Sequence, residues 1–449
     1  MLQTLFYIPA EVLGLPVLGV GLLLFFWALL AGVIFAYQYR WGGWNADLIN
    51  YTVFAVLIGA AIVWLLPQLA ERIPGSDARG IPIRGYGVML LVAVVSGVAL
   101  ALHRAKAEGL PGEVIFSLAV WLVVAGIIGA RIFYVIEYRQ NFDIRHPDGS
   151  WDPWGSLVAA INMQKGGLVV FGSLIGAMAG MSLFCWKTKI NFLALADLIA
   201  PSMAVGQAIG RLGCFLNGCC YGGECDLPWG VRFPPESPVY IQQVEQGRHF
   251  IHGLQLSWQE EELPAIVTAV EKYSAAEKAG LRPGLRIRQI IVLNPGATNP
   301  RRYPPVDLNP AGGAISARYA LQVLLQERLP GTELTLHFDG LEPPVHFVTA
   351  GLPTALPVHP TQIYSALDAF FLAWVLWTFT PLRRRHGQVL ALTLILHAIS
   401  RFLLEMIRVD EANFLHTGLS ISQNLSLGMF AVGVLLWAWV SWGAGGAGG

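Results

Sequence analysis

Long runs without one charged side chain set the limits on what this sequence can become. No Asp, Glu, Lys or Arg occurs between Val12 and Tyr39, between Tyr51 and Ala70, or between Gly85 and Leu102. A helix needs about 20 apolar residues to cross the hydrocarbon core of a bilayer. Within that core every backbone donor and acceptor must be satisfied internally, which a helix achieves and an open strand does not. Further apolar runs begin at Val114, Gly166, Phe192, Gln362, Gln388 and Ile421, so the expected fold is an all-α polytopic membrane protein of about nine spans. Composition agrees: 55% of the 449 residues are hydrophobic and 13% are charged, against about 25% charged in ordinary soluble domains. The 29 Lys+Arg balance the 29 Asp+Glu, which leaves no basic excess for nucleic acid. Five cysteines in a chain of this length exclude a disulfide-built mini-protein. No Lys or Arg precedes the first run, which is longer than a cleavable signal core, so it is expected to remain as a span.

The loops after the third, fifth and seventh spans carry Arg104 with Lys106, Lys187 with Lys189, and Arg383 to Arg385. All fall on one side if the spans alternate, and the excess of basic residues makes that side the cytoplasm. The N-terminus is then outside and the C-terminal Gly/Ala tail inside, although Arg72, Arg79 and Arg84 in the second loop run against this assignment. Between Val231 and Val358 hydropathy collapses and charges, prolines and glycines return. About 125 residues is enough for one small soluble domain, and parity puts it on the outer, periplasmic face. Alternation at Ala265 to Val270 and Glu333 to Phe338 predicts strands, and Ser316 to Arg328 predicts a helix. Ser274 to Gly284 resembles the short helix and turn of a PDZ domain, and Pro330 to Leu334 its last hairpin. The resemblance departs at Leu285, where that fold has an acid; His252-Gly253-Leu254 is the candidate carboxylate-binding loop. Such a groove captures a peptide by strand addition; the alternative is a small α+β spacer.

Ionisable residues at bilayer depth cost about 2.5–3.5 kcal/mol each on insertion scales, so each needs a partner or a task. On the eighth span His397, Arg401 and Glu405 follow at i, i+4 and i+8, with Arg408 at i+11, which aligns them on one helix face. Gln207, Arg211 and Cys214 share a face of the sixth span, with Asp197 well below them, and Arg131, Tyr134 and Tyr138 do so on the fourth. Arg401 and Glu405 could simply neutralise each other. Arg211 and Arg131 have no adjacent acid, and a planar guanidinium matches phosphate oxygens. Three polar stripes on apolar helices predict a hydrated cavity that takes a phospholipid head group from the outer face.

The stretch Gly210-Arg211-Leu212-Gly213-Cys214-Phe215-Leu216-Asn217-Gly218, followed by Tyr221-Gly222, resembles the signature of the prolipoprotein diacylglyceryl transferases, usually Gly-Arg-x-Gly-Asn-Phe-x-Asn-Gly-Glu. Supporting blocks are Tyr86 to Met89, Gly129 to Tyr134, Asp197 to Pro201, His359 to Tyr364, and Arg401 to Glu405 with Arg408 and Asp410 following. They run from about Pro82 to Trp442. The resemblance implies a seven-helix transferase core in two parts, 79–230 and 359–449; the α+β PDZ-like insert at 231–358 and the extension 1–78 with its two extra spans fall outside the family pattern. It also implies an enzyme of the bacterial inner membrane that moves the diacylglyceryl group of phosphatidylglycerol onto the lipobox cysteine of a prolipoprotein signal peptide. No cofactor is implied. The residues that match the pattern suggest Arg211, Arg401, Glu405, His397 and Tyr86 as catalytic, and Arg211, Arg401, Asn217, Gly218 and Arg131 as phosphatidylglycerol-binding.

The departures from the pattern fall on the chemistry. Phe171 stands where many members have a histidine that serves as base, and His397 where many have a functional tyrosine, so His397 is the proposed substitute base. Cys214 and Cys219 replace an asparagine and a glutamate. Cys214, Cys219, Cys220 and Cys225 crowd together, but their spacing lacks the paired C-x₂-C knuckles of structural zinc sites. No metal is expected; a disulfide of Cys219 or Cys220 with Cys225 is, given an oxidising outer face. An intramembrane protease is a poor alternative, since H-E-x-x-H does not occur and Gly172-Ser173-Leu174 is not a serine-protease motif. The remaining alternative is a non-catalytic phospholipid receptor or transporter with a peptide-binding insert.

Overall fold

The computed structural model describes residues 3–73, 78–145, 150–161, 167, 169–235, 237–257, 265–294, 300–303, 316–326, 330–408 and 418–442. Gly166, Arg328, Asp410 and the Gly/Ala tail lie outside them. In chain order the helices are α1 (Leu22–Gly42), α2 (Ala46–Trp64), α3 (Gly85–Ala107), α4 (Gly112–Glu137), α5 (Pro153–Ile161) and α6 (Val170–Thr188). After α7 (Phe192–Asn217) come α8 (Pro238–Glu245), α9 (Ala275–Lys278), α10 (Ala317–Gln326), α11 (Thr361–Phe379), α12 (Gln388–Glu405) and α13 (Ile421–Trp442). Each of the nine apolar runs therefore holds a helix. Among the described residues seven are long and apolar enough to cross a membrane, and α2 and α6 are not among those seven. The chain divides into two compact units, Met1–Val88 with Gly213–Pro360 and Met89–Leu212 with Thr361–Gly449.

In the second of these units α4 and α6 approach closely because small residues face each other. A methyl group on Gly172 would strike the Gly129 carbonyl oxygen, and one on Gly176 the Ala125 carbonyl oxygen. Without a hydrophobic drive between helices in lipid, such small-residue seams supply the contact. Around them Ile115, Leu118, Phe184, Leu195 and Leu198 are buried. Asp197 is fully buried and accepts the backbone N–H groups of Gly387 (2.7 Å) and Leu390 (2.8 Å). Its carboxylate thus satisfies two donors at the start of α12 that the helix itself leaves unpaired.

In the other unit the first apolar run is not helical throughout. β1 (Thr4–Pro9), β2 (Glu11–Val12) and β3 (Leu15–Pro16) precede α1, which starts only at Leu22. Leu13 and Gly14 take positive φ to turn β2 into β3, and Pro16 and the glycines that follow oppose an earlier helix start. β1 pairs antiparallel with β5 (Arg79–Arg84), which also pairs β4 (Glu71–Arg72). α1 and α2 are tied by Trp27 and Tyr51, which donate to the carbonyls of Ala55 and Ala31. The polar insert contains β6 (Leu254–Leu256) paired with β7 (Val267–Val270). Its larger sheet has the order β11-β10-β8-β9, from β8 (Ile287–Leu293), β9 (Arg301–Tyr303), β10 (Glu333–Phe338) and β11 (Leu341–Val348). Tyr240, Ile251, Leu254, Ile287, Ile290, Leu334 and Leu336 form its buried centre. Val231 and Val358 exchange backbone hydrogen bonds of 3.0 and 3.1 Å, so the insert leaves and rejoins the chain at one point.

Candidate active site

The polar stripe on α12 is the organising element. Arg401 forms a 2.5 Å ion pair with Glu405 one turn on, as the i, i+4 spacing dictates, and donates a 2.8 Å hydrogen bond to Ser422 Oγ of α13. The Glu405 side chain is 2% exposed, and Arg408 approaches it at 3.9 Å. His397, half-buried one turn before Arg401, is acted on by the charges of Asp368 on α11, Arg211 on α7 and Arg401 itself. Asp368 accepts a 2.7 Å hydrogen bond from Ser400 Oγ. Three helices thus bring Arg211, Asp368, His397, Arg401 and Glu405 into one electrostatic neighbourhood. Arg211 is half-buried, and no described residue gives it a hydrogen bond or ion pair. A half-buried guanidinium with no counter-ion among the described residues is a candidate site for an anion.

Asp368, Ser400 and Ser422 belong to this neighbourhood and escaped the sequence reading. Asp368 carried a usable signal, being an acid inside the apolar run that starts at Gln362. The serines carried none, because Ser is common in membrane helices.

Arg131 has other surroundings. Its guanidinium is buried and donates to the carbonyls of Ala160 (2.7 Å), Gly167 (3.0 Å) and Ala159 (3.2 Å), and it lies over the rings of Tyr134 and Phe142. These bonds hold α5 and the Gly167 segment against α4. Tyr86 opens α3 and is 41% exposed.

At the end of α7 the chain reverses sharply. Gly218 adopts φ +75°, its N–H reaches the carbonyls of Cys214 and Phe215, and the Cys219 N–H reaches Cys214 at 3.2 Å. This is the double bond pattern with which a left-handed glycine closes a helix. A methyl on Gly218 would also sit 2.9 Å from Ser237 Cβ and 3.0 Å from Phe233 Cδ1. The Asn217 carbonyl accepts from Gln3 Nε2 at 2.9 Å. The reversal carries Cys219 and Cys220 back to Cys214, and the three sulfurs lie within 4.8 Å of one another. The expected pairing with Cys225 does not occur: none of the five cysteines forms a disulfide, and Cys225 is buried, its N–H bonded to the Pro357 carbonyl. A hydrogen bond from Cys214 favours the Cys219 thiolate, but the bond to Cys220 and burial outweigh it and hold that thiol above its ordinary value.

The chain matches the family model described as prolipoprotein diacylglyceryl transferase over residues 77–290 and 309–439. It is 32% identical to a phosphatidylglycerol–prolipoprotein diacylglyceryl transferase of Rhodopirellula baltica, across 97% of this chain and 88% of that protein. A Thermosynechococcus vestitus protein of the same name is 36% identical across 35% of this chain and 55% of its own length. A Clostridium perfringens relative, a second protein of that name, is 32% identical across 42% of this chain and 72% of its own. The match includes Arg211, Arg401 and the Gly218 reversal, and it extends through most of the two apolar blocks; this chain belongs to the prolipoprotein diacylglyceryl transferase family.

Proposed function

We propose that the chain, a multi-pass membrane enzyme of the bacterial inner membrane, transfers the diacylglyceryl group of phosphatidylglycerol to the lipobox cysteine of a prolipoprotein. The observation that carries this reading is Arg211, half-buried on an apolar helix, whose charge acts on His397 and which has no acid paired with it among the described residues. In the reaction the cysteine sulfur bonds to the glyceryl carbon, the carbon–oxygen bond to phosphate breaks, and the electron pair leaves as glycerol phosphate. Negative charge grows on the phosphate oxygens. Arg211 and Arg401 bind and stabilise them, and fixed positive charge in a water-poor site is a large source of rate. Glu405 fixes the Arg401 fork, which a lone flexible cation would not keep oriented. His397 accepts the thiol proton. Tyr86 acts at the mouth of α3, Asn217 and Gly218 shape the end of α7, and Arg131 shapes the lipid-binding wall through the α4–α5 corner.

The test is direct. Purified protein incubated with phosphatidylglycerol and a lipobox peptide should yield peptide heavier by one diacylglyceryl unit. Bound lipid with unchanged peptide mass would establish the receptor reading instead. We also assign the insert to the periplasmic side, since Lys106, Lys189 and Arg383 to Arg385 mark the other face. Its proposed ligand is an extended peptide beside β6. Support comes from the His252-Gly253 turn that leads into that strand and is pinned to α10 by a 3.0 Å bond between His252 Nε2 and the Leu324 carbonyl.

A further inference from the structure

The three clustered thiols have no part in the reaction as described, and their arrangement comes from the fold rather than from their spacing in sequence. Cys214 sits in the last turn of α7, and the Gly218 reversal lays the next two cysteines over it. Cys220 itself takes φ +61°, a left-handed conformation that is unfavourable for a non-glycine residue. A chain that holds a β-carbon residue in that region does so because its surroundings over-determine it. Here Phe215 stacks edge-on against Phe233, and Gly218 lies against Ser237 and Phe233, which fixes the reversal from behind.

The sulfurs already lie within 4.8 Å of one another and are half-buried. Tetrahedral zinc with bonds of about 2.3 Å places its sulfurs about 3.8 Å apart, so the cluster closes on an ion by rotation of side chains. The Cys219 Sγ donates to the Cys214 carbonyl at 3.8 Å, which holds it over the end of α7. The paired-knuckle rule missed the cluster because the reversal replaces one of the knuckles.

Resting on the transferase reading above, we propose that Cys214, Cys219 and Cys220 form a three-thiolate site for a soft divalent ion of the zinc class, whose open fourth position takes the cysteine thiol of the substrate. Three protein ligands with one open position is the arrangement of zinc sites that act on a substrate, whereas structural sites are closed by a fourth. On coordination the incoming S–H loses its proton and its sulfur becomes a metal-bound thiolate, the nucleophilic form. That proton is the one assigned to His397, reached through solvent. No oxidation state changes, and the thiolate remains available to bond to carbon.

The experiment uses the full chain in detergent, loaded with zinc or with cobalt. About one ion per chain is expected, falling at least tenfold in Cys219→Ser and Cys220→Ser and unchanged in Cys185→Ser and Cys225→Ser. The cobalt form should show a thiolate charge-transfer band whose ligand-field absorption shifts on addition of N-acetylcysteine amide and not of its serine counterpart. Retained phosphatidylglycerol binding shows that each variant is folded; if the serine variants do not fold, chelator treatment of the wild type should release the ion and expose three more titratable thiols. A chain two hydrogens lighter through a disulfide within the trio, or three free thiols after equilibration with zinc, overturns the site. Metal binding without lipid transfer sinks the transferase reading alone, and full transfer by metal-free protein sinks the metal's part alone.

Discussion

Arg211→Ala and Arg401→Ala should both abolish lipid transfer, yet differ in what they do to the folded protein. Arg211 has no counter-ion or hydrogen bond among the described residues. Its removal therefore strands nothing and relieves a buried charge that costs about 2.5–3.5 kcal/mol on insertion scales. Arg401 is paired at 2.5 Å with a Glu405 side chain only 2% exposed, and the remaining cation, Arg408, is 3.9 Å away. Truncating one partner of such a pair costs about 3–5 kcal/mol, because the other charge is left buried. On the lipid side, each guanidinium bond to phosphate contributes about 1.5–3 kcal/mol. Loss of a two-bond fork then slows transfer by about a hundredfold or more at 1.36 kcal/mol per decade. Thermal unfolding in detergent, read beside the initial rate of peptide lipidation, separates the two effects. Arg211→Ala should unfold at or above the wild-type temperature, and Arg401→Ala well below it. Equal destabilisation of the two variants would mean that Arg211 has a structural partner, and the phosphate-clamp assignment would fail with it.

His397→Gln should lower kcat by about a hundredfold or more while phosphatidylglycerol affinity stays near wild type; an unchanged rate would remove His397 as the base. Gly218→Ala forces a methyl into a φ +75° position 2.9 Å from Ser237 Cβ and should destabilise the protein by about 1–3 kcal/mol, seen as a lower midpoint in thermal unfolding. Replacing the segment between Ser237 and Thr354 by a short Gly/Ser linker should leave transfer to a minimal lipobox peptide within a few-fold of wild type, because Val231 and Val358 already pair at its base. Loss of transfer by that variant, still folded and binding lipid, would place part of the insert in the site.

The spans were legible because burial in lipid acts on composition alone: each of the nine apolar runs holds a helix, and among the described residues seven of these are long and apolar enough to cross a membrane. The same signal overreached at Val12, where apolar residues form the β2–β3 hairpin, since Pro16 and the flanking glycines govern backbone geometry whatever their hydropathy. The α12 stripe could be read from its spacing, since i, i+4 neighbours meet on any helix. Arg131 looked identical to Arg211 in sequence, an arginine on an apolar helix, and the difference lies in the Ala159, Ala160 and Gly167 carbonyls that surround it. Tertiary neighbours of that kind leave no trace in a one-dimensional pattern. The cysteines show the converse. Their spacing lacks the paired knuckles of structural zinc sites, yet one glycine at φ +75° brings three of the sulfurs within 4.8 Å of one another.

Charge balance decides which head group such a site accepts. Among the described residues, Arg211, Arg401 and Asp368 act on His397, and Glu405 with Arg408 adjoins Arg401, so three guanidinium groups stand against two carboxylates and leave one positive charge when His397 is neutral. A phosphodiester monoanion cancels it. A zwitterionic lipid brings an ammonium as well, and the acids that could receive it are engaged, Asp368 by Ser400 and Glu405 by Arg401. Asp368→Asn tests this directly, because the amide oxygen can still accept from Ser400 while the charge is gone. The site then carries a second positive charge, worth about 1–2 kcal/mol to an anionic head group several ångströms away at an effective dielectric near 20. Phosphatidylglycerol should bind roughly tenfold more tightly to the variant, and transfer should slow, since His397 loses the carboxylate that stabilises its protonated form. Weaker phosphatidylglycerol binding by a folded Asp368→Asn protein would show that the carboxylate contacts the lipid itself, and the head group would then have to be placed by hydrogen bonds to that acid rather than by excess positive charge.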